Sequence, residues 1–194
     1  MSEVPSTFRL QPGQPAPEFQ LPDGKGEQHQ LSDLLEGKKG LVVAFVCNHC
    51  PFVIHLAERF GEVADELAGR QIATVAISAN DVEKYPADSP EKMLEFAREK
   101  SWDFPYLYDE SQDVARAYSA ACTPDFYLFD ADGKLTYAGQ FDDSRPGKGG
   151  EATGEDLIAA VDDLLAGRET PQPWKPSSGC NIKWKPGAEP DYFG

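Results

Sequence analysis

Val42-Val43-Ala44-Phe45-Val46-Cys47-Asn48-His49-Cys50-Pro51 is the stretch whose reading decides the fold. An apolar run stops at two cysteines spaced C-x-x-C, and an amphipathic segment follows. The run is continuous and bounded upstream by Gly40, which suits a strand covered on both faces. After Pro51 the apolar positions are Phe52, Leu56, Phe60, Val63 and Leu67. Spacings of three and four place them on one side of a helix. Pro51 fits the first turn, where its missing N–H costs nothing, and Gly69 is the expected stop. Both sulfurs thus fall at a strand-to-helix turn, where free N–H groups and partial positive charge favour thiolate over thiol. Thiolate is the nucleophile of disulfide chemistry.

Working outward, Ile72 to Ile77 is a second apolar run, so strand, helix and strand predict a right-handed βαβ unit. Residues 79–90 read as a polar loop with prolines at 86 and 90. Ser89-Pro90-Glu91 opens a helix with Ser as cap and Pro in the first position; Met93, Phe96 and Ala97 are its buried face. A short strand is expected over Phe104 to Tyr108 and a short helix over Val114 to Tyr118. Phe126 to Phe129 and Leu135 to Ala138 flank Asp130-Ala131-Asp132-Gly133-Lys134, the pattern of a hairpin. Toward the N-terminus, residues 1–17 read as an extended arm and 19–31 as a small hairpin with a Gly-rich turn. A helical turn over 32–35 is expected to be capped by Ser32. Toward the C-terminus, residues 142–154 are polar and Gly-rich. Thr153 with Asp156 resembles a capping box, and Leu157, Val161, Leu164 and Leu165 form the stripe of a last helix. Residues 167–194 lack periodicity. They nevertheless carry Trp174, Cys180, Ile182, Trp184, Tyr192 and Phe193, which predicts a tail packed back on the domain.

The 194 residues, 40% hydrophobic and 26% charged, fit one soluble domain over 1–194, with a core about 10–166 and a tail over 167–194. A net charge of −15 argues against nucleic acid and membrane as partners, since both call for a basic face. No stretch approaches the length of a membrane-spanning helix. Met1 to Leu10 lacks a basic and an apolar signal region, so a cytoplasmic, reducing location is expected. Four cysteines there point to catalysis, metal binding or burial before structural disulfides.

The order of elements resembles the thioredoxin fold: a βαβ unit with C-x-x-C, a helix, Thr-Pro entering a hairpin, a final helix. Gly13-Gln14-Pro15-Ala16-Pro17-Glu18-Phe19, then Leu31-Ser32-Asp33-Leu34, resembles the redoxin (AhpC/TSA-like) branch over about residues 10–166. With Cys47-Asn48-His49-Cys50-Pro51, Thr123-Pro124-Asp125 and Gly179-Cys180-Asn181-Ile182-Lys183-Trp184-Lys185, the chain looks most like bacterial peroxiredoxin-like thioredoxin family proteins. The resemblance implies an α/β fold with a mixed central sheet flanked by helices, an N-terminal β-hairpin extension and a packed C-terminal tail.

Two thiols at a helix start let one attack a disulfide and the other resolve the mixed disulfide. The resemblance nominates Cys47 as nucleophile and Cys50 as resolver. His49, beside the helix N-terminus, is expected to stabilise the Cys47 thiolate; its plainer reading is an exposed side chain without a role. The resemblance further implies a cis Thr123-Pro124 bond whose backbone docks an extended substrate. Cys122, Cys180 and Arg145 are auxiliary candidates. Cys122 is read first as a buried hydrophobe, Cys180 as part of the packed tail with a resolving role toward Cys47 as the alternative, and Arg145 as a loop residue. No second C-x-x-C supports a zinc knuckle and no phosphate-loop pattern is present, so no metal and no cofactor are expected.

Two departures sharpen the expectation. A peroxiredoxin carries Pro-x-x-x-Thr/Ser-x-x-Cys; aligned on Cys50, Cys47 replaces the hydroxyl residue and Val43 the proline. Thioredoxin carries Trp before the first cysteine and a buried Asp upstream; here those positions are Val46 and Leu41, which leaves its proton shuttle to another group such as His49. The expected function is a thiol–disulfide oxidoreductase acting on a protein disulfide or a small thiol or peroxide substrate, recharged by a thiol reductant. A peroxide-reducing antioxidant enzyme is the alternative. A metal-binding or redox-sensing module built on Cys47, Cys50 and His49 is the third.

Overall fold

The computed structural model describes residues 2–193. The strands are β1 (Glu3–Pro5), β2 (Gln20–Pro22), β3 (Gln28–Gln30), β4 (Gly40–Phe45), β5 (Ile72–Ser78), β6 (Tyr106–Tyr108), β7 (Cys122–Thr123), β8 (Asp125–Asp130), β9 (Leu135–Gly139) and β10 (Ser178–Asn181). The helices are α1 (Leu31–Leu35), α2 (Pro51–Ala68), α3 (Pro90–Glu99), α4 (Asp113–Tyr118) and α5 (Glu155–Leu165).

The central sheet has the order β6-β5-β4-β8-β9. β4 runs parallel to β5 and antiparallel to β8, so the sheet is mixed, as expected. β4 is buried along its whole length, because alternate side chains enter cores on opposite faces. Val42 and Ala44 join one core with the inward faces of α2, α3 and α5. Leu41, Val43 and Phe45 join the other with α4, the hairpin residues Phe19 and Leu21, and Ile182 and Trp184 of the tail. Phe60 of α2 packs edge-on against Trp102, Phe126 and Phe141, which fixes the helix over the sheet.

α2 begins with Pro51 in its first turn and ends at Gly69, and Ser89 caps α3 by accepting a bond from the Lys92 N–H. Two expected caps are corrected. Ser32 lies inside α1, whose N-cap is Gln30 without a side-chain bond; the Leu31 N–H is anchored instead on the Phe19 carbonyl at 3.1 Å. The N-cap of α5 is Gly154 at φ 76°, so Thr153 stands one residue too early. The Asp142 carboxylate takes the N–H groups of both Thr153 and Gly154, at 2.7 and 2.8 Å, and does the work expected of a capping box.

The two ends of the chain hold the main surprise. The expected extended arm contains β1, and the tail contains β10; with β7 they form a second sheet in the order β1-β10-β7. In this sheet Cys180 lies opposite both Glu3 and Thr123. Gly179 is required there: a Cβ would sit 2.0 Å from the Thr123 carbonyl oxygen. The tail packs down as expected, with Cys180, Ile182 and Trp184 buried. Among the described residues, no helix is long and apolar enough to cross a membrane.

Candidate active site

β4 runs out at Phe45, and Val46, Cys47, Asn48 and His49 make the turn into α2. Cys50 is the N-cap of that helix, and its carbonyl accepts from the N–H groups of Val53 and Ile54, each at 3.0 Å. Across from the turn, β7 presents Thr123, and the Thr123-Pro124 bond is cis. Side chains alternate along β7. The Thr123 hydroxyl reaches Cys47 Sγ at 3.6 Å, whereas Cys122 points the other way and donates to the Pro124 carbonyl at 3.7 Å. Cys122 is buried, and burial raises its thiol pKa well above its ordinary value.

Three sulfurs converge. Cys50 Sγ lies 2.7 Å from Cys180 Sγ, and the Cys47 and Cys50 thiols influence each other's ionisation. None is open to solvent: Cys47 is 1% exposed, Cys50 0% and Cys180 4%. Such a cluster holds one negative charge more easily than two, and hydrogen bonds decide where it rests. As a thiol, Cys50 donates to the Thr123 carbonyl at 3.3 Å and toward Cys180 Sγ. The pull of the neighbouring Cys180 and Cys47 thiols outweighs desolvation and holds its pKa well below the thiol range. Cys47 moves upward, first because its proton serves Cys50, then through burial and the nearby Asp88 carboxylate. Cys180 moves upward for the first two of these reasons.

Asp88 is a site residue that the sequence reading missed. It is 0% exposed and accepts the Asn48 N–H at 2.8 Å, His49 Nδ1 at 2.6 Å and Asn80 Nδ2 at 2.9 Å. It thereby fixes the turn between the two cysteines. Its partner to Nδ1 selects the tautomer with the proton on that nitrogen, and the ring stacks on Tyr85 at 5.5 Å. Nδ1 of His49 is engaged by Asp88, while Nε2 is buried with no hydrogen-bond partner. Asn48, expected only to form the turn, accepts a bond from the Tyr106 hydroxyl at 2.8 Å. The one weak signal for Asp88 was an acidic residue immediately before Ser89-Pro90, and nothing in that pattern points back to Cys47.

Asp125 follows the cis proline. Its carboxyl accepts from the Ser6 hydroxyl at 2.7 Å and lies 3.2 Å from the Tyr127 hydroxyl. Burial pushes its pKa up to about 7, against the pull of those two groups. Tyr127 beside it joins the core opposite that of the sulfurs, so Asp125 is no replacement for the missing thioredoxin aspartate. Arg145 binds the carbonyls of Asp142 and Ser144 and the Gln140 side chain at 2.7–2.9 Å. Its hydrogen bonds go to its own loop. Cys47 Sγ, the His49 ring and the Asp88 carboxylate lie within 4.8 Å of one another. A cation there would have to break the His49–Asp88 bond and deprotonate a thiol whose proton is already engaged.

The family model for AhpC/TSA proteins matches residues 12–138. The chain belongs to the AhpC/TSA family. It is 30% identical to the Peroxiredoxin Bcp of Escherichia coli K12 over 146 residues, which cover 69% of this chain and 86% of that one. A crystal structure of an uncharacterized conserved protein from Geobacillus kaustophilus is 49% identical, covers 97% of this chain and 99% of its own, and superposes with a TM-score of 0.92. A thiol:disulfide interchange protein of the thioredoxin family from Chlorobium tepidum is 19% identical over 80% of this chain and 98% of its own, at a TM-score of 0.60. That likeness establishes the thioredoxin fold. Within this redoxin frame the matched family region contains Cys47, Cys50, Thr123 and Pro124 but ends before the tail that carries Cys180.

Proposed function

We propose that this AhpC/TSA protein is a thiol–disulfide oxidoreductase whose reactive group is the Cys50 thiolate, with Cys47 as the second thiol of its C-x-x-C pair. One observation carries the reading: Cys50 is the N-cap of α2 with the Cys180 sulfur 2.7 Å from its own, and its pKa is held well below the thiol range. Cys50 attacks one sulfur of a substrate disulfide and releases the other as thiol. The Cys47 thiol then loses its proton, attacks Cys50 Sγ and frees the second substrate thiol. A thiol reductant reverses the sequence. His49 and Asp88 act by position: they hold the 47–50 turn so that both sulfurs face Thr123. The test is catalysis of insulin reduction by dithiothreitol. Wild type should accelerate it and Cys50→Ser should not; a wild type inert toward insulin and toward small disulfides would refute the reading.

A second reading rests on the similarity to Peroxiredoxin Bcp and on Cys50, which takes the place of the reactive cysteine when the family's Pro-x-x-x-Thr/Ser-x-x-Cys pattern is set on this chain. Against it, Cys47 occupies the place of the hydroxyl residue and Arg145 is tied to its loop. It predicts sulfenic acid at Cys50 on exposure to hydrogen peroxide; a rate no greater than that of free cysteine removes it.

A further inference from the structure

Cys180 belongs to neither half of the C-x-x-C pair, yet it makes the one direct sulfur–sulfur contact whose distance is set by strand pairing. β10 is held on both edges, by β1 and by β7, with Cys180 opposite Glu3 and Thr123. The Asn181 N–H donates to the Ser2 carbonyl at 3.1 Å and the Ile182 N–H to the Ala121 carbonyl at 3.0 Å. Gly179 packs directly on the Thr123 backbone, so no side chain pushes the strand off. The result is a thiol 2.7 Å from Cys50 Sγ. A cysteine that merely fills the core does not need that approach. Cys122, equally buried and only two residues from the cis proline, shows the contrast: its thiol turns away to the Pro124 carbonyl.

We propose that Cys180 is a third redox-active thiol, which takes over Cys50 in a disulfide and sets Cys47 free. The proposal rests on the dithiol reading above. Oxidation by a substrate disulfide leaves a Cys47–Cys50 bond and two substrate thiols. Cys180 then gives up its proton and attacks Cys50 Sγ. The Cys50–Cys180 bond forms and the Cys47–Cys50 bond breaks. The electron pair departs on Cys47 Sγ, which takes a proton. The exchange is redox-neutral and draws on no further oxidant. Its product ties β10 covalently to the start of α2 and restores a Cys47 thiol beside Thr123.

The full-length protein, oxidised with diamide and alkylated with N-ethylmaleimide, supplies the test. Trypsin leaves Cys47 and Cys50 together on residues 40–59, whereas Cys180 falls on residues 169–183, because Lys175 precedes a proline. The expected product is a cross-link between these two peptides, with the alkyl group on Cys47. Cys180→Ser should abolish the cross-link and leave an internal disulfide within 40–59. Cys47→Ser, which preserves the tail, should still form the cross-link. An oxidised wild type with the internal disulfide alone and an alkylated Cys180, together with a Cys47→Ser protein that forms no intramolecular disulfide, would overturn the proposal. Insulin reduction separates the two claims. Activity without the cross-link sinks the third thiol only, and a cross-link in a protein inert toward every disulfide sinks the oxidoreductase reading only.

Discussion

Replacing Asp125 by Asn should stabilise the protein at neutral pH and leave it nearly unchanged in acid. The hydrogen bonds explain why Asn fits. Tyr127 has one hydroxyl proton and two acceptors nearby, the Tyr118 carbonyl at 3.1 Å and Asp125 at 3.2 Å. With the proton given to Tyr118, a neutral Asp125 donates its own to the Tyr127 oxygen while its other oxygen accepts from Ser6 at 2.7 Å. An Asn side chain reproduces both bonds, with its NH2 toward Tyr127 and its oxygen toward Ser6. Burial raises the folded pKa from the ordinary 3.8 to about 7. A raised folded pKa means that the native state binds more protons than the unfolded chain between these two values. The contribution of Asp125 is therefore full below about pH 4 and lost as pH rises through 7. At about 1.4 kcal/mol per pH unit, the interval is worth about 4 kcal/mol. Urea unfolding of reduced wild type and Asp125→Asn between pH 4 and 8 reads the effect as a difference in which other titrations cancel. The advantage of the variant should grow by up to about 4 kcal/mol across that range. Two stability curves that stay parallel would refute the buried neutral carboxyl.

Other expectations follow from the same geometry. Absorbance at 240 nm should report a thiolate that survives far below the ordinary thiol pKa in reduced wild type and in Cys47→Ser but vanishes in Cys50→Ser; the reverse pattern would move the charge to Cys47. Gly179→Ala forces a Cβ onto the Thr123 carbonyl. It should displace β10, cost about 3 kcal/mol, and make Cys50 react faster with a disulfide reagent in the reduced protein; an unchanged rate would mean that β10 does not shield the sulfur. Asp88→Ala strands the Asn48 N–H, Asn80 Nδ2 and His49 Nδ1. At about 1 kcal/mol per lost bond, it should cost about 3 kcal/mol in urea unfolding, and a loss under 1 kcal/mol would contradict its role in the turn.

What the sequence disclosed follows from the range of each interaction. β4, α2 and β5 are legible because their apolar periodicity reflects the cores they enter, and Pro51 and Ser89 mark helix starts through local chemistry. The C-x-x-C pair and Thr123-Pro124 are legible as motifs. The partners of these motifs are not. Asp88 reaches His49 across 39 positions and Cys180 reaches Cys50 across 130, and such contacts leave no periodic trace at either end. β1 and β10 are short and rich in polar and small residues, so neither alternates in hydrophobicity; their pairing exists only once the folded domain offers Thr123 as an edge. The sulfur that faces Cys50 was hidden for the same reason, since it arrives on the tail.

That late arrival orders events during synthesis. The β4–α2–β5 unit leaves the ribosome with both cysteines of the motif, more than 100 residues before Gly179 and Cys180. A nascent chain thus carries a Cys47/Cys50 dithiol that no tail strand yet covers. Closure waits until β10 has been made and can meet β1. The reactive turn is made well before the strand that covers it.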